Sequence, residues 1–189
     1  MQSLFIKEKI TYDGTQLKSL FAYLTYGVLG NSIVSWTGPC DISFEHMVDG
    51  EDLLAKSPIA GAEMLHFIVE VFDRDLFSGV ALQRLFASII RDYLQAEAHV
   101  ALGKAQLERD GDDIFWGEKK LNISIATKSP VSTMIHLAIN CTNKGTPVET
   151  CSLEDLKLSP EKVAQDVMEK FQREFEAILK ATQKVRPVN

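Results

Sequence analysis

A chain of 189 residues with 46% hydrophobic and 24% charged side chains has the size and composition of one globular domain, which excludes disordered, collagen-like and coiled-coil readings. No apolar run approaches the ~20 residues needed to cross a bilayer, and the opening MQSLFIKEKI lacks a cationic stretch followed by a long apolar core; no span and no secretory signal are expected, and the cytoplasm is the expected compartment. A formal charge of −6 argues against a general nucleic-acid binder.

Leu4 to Lys9 alternates enough for an opening strand, and Tyr12 to Thr15 supplies turn and capping residues before a predicted helix. Leu17, Leu20, Phe21 and Leu24 carry that helix at three- and four-residue spacing, with Gly27 and Gly30 closing it. Ser32 to Trp36 reads as a short strand ended by Gly38-Pro39. Residues 40 to 62 read as a loop with one helical turn, crowded with Asp41, Glu45, His46, Asp49, Glu51 and Asp52. Met64 to Phe72, MLHFIVEVF, is nearly continuous in apolar character, the pattern of a central strand covered on both faces.

Leu76 to about Ala101 carries the clearest amphipathic stripe, a long helix lying on a sheet face. Period-two patterning returns after Gly103, with turns at 110–112 and 117–119, then KLNISIAT (120–127) and TMIHLAINCT (133–142): an antiparallel meander with Leu121, Ile123 and Ile125 on one face. Ser159-Pro160 opens a last helix whose buried stripe runs Val163, Val167, Phe171, Phe175, Ile178 and Leu179. The order of elements specifies an α+β domain over residues 1–189, in which helices flank a mostly antiparallel mixed sheet.

Phosphate loops, dinucleotide fingerprints, nucleophile elbows and HExxH are all missing from the sequence. Cys40, Cys141 and Cys151 are odd in number and lack CxxC spacing, so they read as small buried side chains. His46 with Asp41, Glu45 and Asp49 is the one grouping with metal-ligand composition, which a metal-dependent hydrolase would use; a polar loop with capping carboxylates is the more common arrangement, and no metal site is assigned. His66 and His136 fall within predicted strands, facing a polar cleft or satisfied in the core. Ser129, Ser132 and Thr133 surround Pro130, where they either stabilise the turn or bond a ligand carboxylate. Trp36 and Trp116 either line an apolar pocket or fill the core.

Residues 111–140, GDDIFWGEKKLNISIATKSPVSTMIHLAIN, resemble the central hairpin of the biotin and lipoate protein ligase and octanoyltransferase superfamily, in which a strand of the type DIYV, a turn and (R/K)K(I/L) open the strand that holds the acyl group. The resemblance makes Lys120 the counterpart of that superfamily's essential lysine and places His136 and Asn140 on its HG.L.LN strand. VETCSLEDL (148–156) is similar to its TSLEDLG stretch, so the likeness covers the C-terminal two-thirds. It implies a fold similar to the catalytic core of those ligases and of class II aminoacyl-tRNA synthetases. It further implies an acyl ligase or transferase acting on a small carboxylic acid, biotin-like or lipoate-like, or on its activated form, with an acyl-carrier protein as a compatible acceptor.

In that reading Lys120 holds the carboxyl or phosphate group, with Lys119 exposed on the opposite strand face. His136, Asn140, Ser129, Ser132, Trp116, His66, Asp41 and His46 are the ligand-binding candidates. ATP with magnesium serves the adenylate-forming members, but Ser57–Glu63 (SPIAGAE) has neither their glycine density nor their arginine, which leaves the cofactor open. The octanoyltransferase cysteine, upstream of TSLEDLG, has no counterpart in 143–146. A non-catalytic ligand-binding or interaction protein on the same scaffold is the alternative, and the apolar edges of a meander make a homodimer compatible with either. As a whole, with GPCD (38–41), EHMVD (45–49), MLHF (64–67) and SIATKSPVSTMIH (124–136), the chain resembles a prokaryotic family defined by a domain of unknown function.

Overall fold

Two strands with no exposed residue over nine positions can only lie in the middle of a sheet covered on both sides, and they organise the molecule. The structure, a computed structural model, describes residues 1–188. In chain order the elements are β1 (Gln2–Phe5), α1 (Phe21–Tyr26), β2 (Ser32–Ile42), α2 (Gly50–Ala55), β3 (Ile59–Phe72), α3 (Leu76–Glu97), α4 (His99–Leu102), β4 (Leu107–Asp110), β5 (Asp113–Trp116), β6 (Lys119–Lys120), β7 (Asn122–Lys128), β8 (Ser132–Asn140) and α5 (Pro160–Thr182). The main sheet has the order β1-β2-β3-β8-β7, with β1 parallel to β2 and every other pair antiparallel.

Alternation splits each central strand into two faces. Leu65, Phe67, Val69 and Val71 of β3 and Ile135, Leu137 and Ile139 of β8 join the core beneath α3 and α5. Phe86 of α3 bridges that layer, its ring 5.3 Å from Phe67 and 4.6 Å from Phe171. Met64, Ile68, Met134 and Ala138 face the other way, under the segment that joins β1 to β2, where Ile6, Tyr12, Phe21 and Ala22 cover them.

Several boundaries differ from the sequence expectations, each for a physical reason. The first helix begins at Phe21 rather than Leu17, because Leu20 takes φ +61° and its N–H is donated to the buried Glu70 carboxylate at 2.8 Å. β2 does not stop at Gly38-Pro39 but runs through them with a register shift to Ile42. Gly38 is required there, since a Cβ would sit 2.0 Å from the Ile10 carbonyl oxygen. β3 correspondingly starts at Ile59, so the irregular stretch contracts to 43–58, with Asp49 capping α2 through the N–H groups of Glu51 and Asp52.

The expected single meander is two structures. β4, β5 and β6 form a separate three-stranded sheet, while β7 and β8 belong to the main one. Leu121 is the switch: its N–H bonds Ile114 and its carbonyl accepts from Asn140, and its side chain lies in the helix-side core, opposite Ile123. Buried Asn122 fills the gap where the sheets diverge, accepting from Ile114 N–H at 2.7 Å and donating to the Asp112 carbonyl at 2.9 Å. Among the described residues no helix is long and apolar enough to cross a membrane.

Candidate functional site

The seam between the two sheets opens two adjoining cavities on the face away from α3 and α5. The first, about 330 Å³, runs from Tyr12, Ile42, His46 and Met47 to Asp112, Asp113, Ile123, Ser124 and His136. The second, about 230 Å³, is lined mainly by apolar and small residues, including Pro58, Ala60, Met64, Pro147 and Val148. Asp52, Ile59, Lys120 and Ile123 belong to both walls.

Lys120 reaches this shared wall because its backbone is clamped. Its N–H bonds the Glu149 carbonyl and its own carbonyl accepts from Cys151 N–H at 3.1 Å and from Asn140 Nδ2 at 3.2 Å. Asn140 also donates to the Cys151 carbonyl at 3.2 Å, so this buried amide ties the lysine strand to 149–151. The Lys120 ammonium is 2.8 Å from Asp113 Oδ2, both side chains about one-third exposed. Burial raises the Asp113 carboxyl above its ordinary range, with Lys120 opposing that rise. Lys119 points out of the cavity wall to Glu149 at 3.4 Å.

The floor of the first cavity is aromatic. The register sets His66 opposite Ala138 and His136 opposite Ile68, so the two imidazoles are diagonal neighbours on one sheet face. His66 Nδ1 lies 3.2 Å from His136 Nε2, and His66 Nε2 lies 3.1 Å from the Gly38 carbonyl. Tyr12 stacks on His136 with centroids 3.7 Å apart. Burial lowers both histidines, His66 to about 4 and His136 well below its ordinary value.

The rim is acidic. Asp49, Glu51, Asp52, Asp112 and Asp113 line the first cavity with Lys120. Asp112 is fixed by Gln83 of α3 and by Ser124, at 2.8 and 2.7 Å to the same carboxylate oxygen. Burial and the Asp49 charge raise the Asp52 carboxyl, against the pull of Lys120.

Of the residues singled out from the sequence, Lys120, His136 and His46 line the first cavity and Lys120 and Asn140 the second. His66 lies behind His136. Ser129 and Ser132 sit at the β7–β8 turn, where they bond each other at 2.8 Å and Ser132 donates to Glu70 at 2.6 Å; they line neither cavity. Trp116 packs against the helix-side core from β5, and Asp41 is an exposed residue of β2; both are away from the cavities. Asp41, Glu45, His46 and Asp49 do not converge, and no group of three or more His, Cys, Asp or Glu side chains among the described residues could hold a metal ion. Burial pushes the thiols of Cys40 and Cys141 up to about 12 and that of Cys151 to about 11, so none is a ready thiolate. Tyr12, Asp52, Asp112 and Asp113 are site residues that sequence reasoning passed over. Only Asp113 had a local signal: Lys120 pairs with Phe115 across the β5–β6 turn, which puts Asp113, two residues away, on the same strand face.

A nucleotide phosphate would need convergent backbone amides or cations. Ile59 to Gly61 instead extend along β2, Ala62 N–H bonds the Lys144 carbonyl at 2.9 Å, and the first cavity holds five carboxylates. The residues present do not fit such a group.

In fold, this five-stranded mixed sheet backed by two long helices is similar to solved biotin and lipoate protein ligases. The biotin protein ligase of Aquifex aeolicus superposes with TM-score 0.58 at 11% identity, over 94% of this chain and 70% of that one. P. falciparum LipL1 in complex with lipoate superposes with TM-score 0.55 at 10% identity, over 100% and 65%. Nearer in sequence are a protein of unknown function from Pyrococcus horikoshi, 36% identical with TM-score 0.93 over the whole of both chains, and an uncharacterized protein of Methanocaldococcus jannaschii, 32% identical over 100% of this chain and 86% of its own. The chain belongs to the family described as a domain of unknown function, DUF366, whose model matches residues 1–186.

Proposed function

We propose that the protein is an acyl ligase or acyltransferase that holds a small carboxylic acid, or its activated form, at Lys120. The observation that carries this reading is the place of the Lys120 ammonium in the wall common to two cavities. A carboxyl group paired with it is reachable from both sides, one cavity holding the acid and the other admitting the group that reacts with it. A fixed cation at that point stabilises the negative charge that builds on the carbonyl oxygen during acyl transfer. Release of Lys120 from Asp113 is the cost of binding, and it is modest for a pair one-third exposed.

Tail and floor complete the picture: Ile42, Met47, Ile59, Ile123 and Ile125 provide apolar wall for a short chain between Lys120 and His136. The test is isothermal titration of the full chain with octanoate, biotin and lipoate, wild type against Lys120→Ala. Binding that disappears in a folded Lys120→Ala variant supports the reading, and equal affinity in the two proteins removes it.

One observation favours the second reading, a binding protein without catalysis. The segment 59–62 is strand rather than a phosphate-receiving loop, so activation of a free acid by nucleotide has no cradle here. Acid binding with no acyl transfer from any activated donor would select it.

A further inference from the structure

Resting on that reading, the histidine pair goes further, to the chemistry at the far end of the acid. His66 Nε2 is 3.1 Å from the Gly38 carbonyl oxygen, which can only accept, so Nε2 carries the proton. A neutral His66 then presents Nδ1 as an acceptor. The neighbour at 3.2 Å, His136 Nε2, must donate to it. A neutral His136 that is protonated on Nε2 has a bare lone pair on Nδ1, pointing away from His66. Burial of both rings keeps the second proton off each.

That Nδ1 has no hydrogen-bond partner among the described residues. His136 is 1% exposed and forms part of the first cavity, with Tyr12 stacked on its face so that the ring cannot turn to satisfy Nδ1 elsewhere. A buried acceptor of fixed tautomer is a demand on whatever fills the cavity, since leaving it unmet on ligand burial is costly.

We infer that the first cavity takes a carboxylic acid whose far end carries an N–H or O–H donor, received by Nδ1 of His136 while the carboxyl group sits at Lys120. A plain hydrocarbon or disulfide end would bury that lone pair unpaired. The selection works by rejection: the polar group left dry penalises the wrong tail more than the right tail gains. The carboxylates on the rim act in the same direction, because they favour donors and disfavour a second anion.

The experiment uses the full chain and three acids of matched length: octanoate, 8-hydroxyoctanoate and 7-carbamoylheptanoate. The hydroxyl and amide acids are expected to bind about tenfold more tightly than octanoate, the size of one neutral hydrogen bond, and His136→Phe, which keeps the stacked ring, is expected to erase that difference. Because His136→Phe leaves His66 without its donor, nitrogen NMR of the wild type supplies the second measurement: Nδ1 of His136 should be unprotonated in the free protein and shift when 8-hydroxyoctanoate is added. Equal binding of all three acids, each lost in Lys120→Ala, would overturn this inference and leave the acyl site intact. A protonated Nδ1 would overturn it as well. Binding of none of the three would overturn it together with the reading it rests on.

Discussion

The two faces of the main sheet are built from the same strands and obey opposite rules. On the helix side Leu65, Phe67, Val69, Ile135, Leu137 and Ile139 meet α3 and α5 as an apolar layer, at whose edge the buried Thr133 hydroxyl is satisfied by the Arg74 carbonyl. On the other side the alternate positions of those strands include His66, Glu70, Ser132, His136 and Asn140, all buried. The first face is held by apolar area, and no residue in it is needed for its chemistry. The second spends burial on polar groups, each of which has to be satisfied, and it opens the cavities. Stability and site are thereby assigned to opposite sides of one sheet, and substitutions on the two sides should separate them.

The sharpest way to break that division is Phe86→Ala. The side chain is fully buried between Phe67 and Phe171, so its removal is expected to cost about 3–5 kcal/mol in chemical denaturation while ligand binding survives wherever the protein is folded. Acid acts on the other face. His66 is held neutral, its folded value about 4 against an ordinary 6.5. Between those values the unfolded chain binds a proton that the folded one refuses, so stability is intact above about pH 6.5 and falls as pH drops toward 4. The loss from this residue is about 3 kcal/mol at full titration, and His136 adds to it in the same direction. Denaturation midpoints across pH 4 to 7 measure it, and a flat profile would mean that the pair is solvated.

Glu70→Ala is next in size. It strands the Leu20 N–H and the Ser132 hydroxyl, both bonded to the Glu70 carboxylate, at a cost of about 1–3 kcal/mol, and the melting temperature should fall without loss of the Lys120-dependent response to ligand. Lys120→Ala reverses that balance: its ion pair with Asp113 is partly exposed, so stability should move by less than about 1 kcal/mol while acid binding is lost. Lys119→Ala closes the series. The exposed pair with Glu149 is expected to change stability by no more than about 0.5 kcal/mol and to leave titrations unaltered, and a binding defect there would reassign the functional lysine.

Much of the framework was legible in the residues. The nearly continuous apolar run 64–72 marks β3 as central, and the stripe from Leu76 marks α3, because burial on two faces or on one stripe leaves its pattern in the sequence. The hairpin with Lys120 and the opposed exposure of Lys119 were also readable, since pairing across a tight turn fixes strand parity. The limits are equally specific. Tyr12 has the sequence signature of a turn residue, and Ser129 and Ser132, which flank Pro130 as turn formers do, are also ligand candidates by sequence. Asp112 and Asp113 read as a turn until Gln83, Ser124 and Lys120 are brought to them from other elements.

By itself, then, the sequence determined that β3, α3, β8 and α5 are the long buried elements, which stripe of the two helices is apolar, and that a lysine opens the strand after a tight turn. Those are local properties, set by side-chain period and turn chemistry within a few residues. The tertiary structure alone decided that His66 meets His136 across 70 positions and that the Gly38 carbonyl fixes the proton on that pair. It also decided that Asn140 and residues 149–151 hold Lys120 between two cavities. Those contacts depend on strand register and on where two sheets part, and both are settled only when the whole buried surface is packed at once.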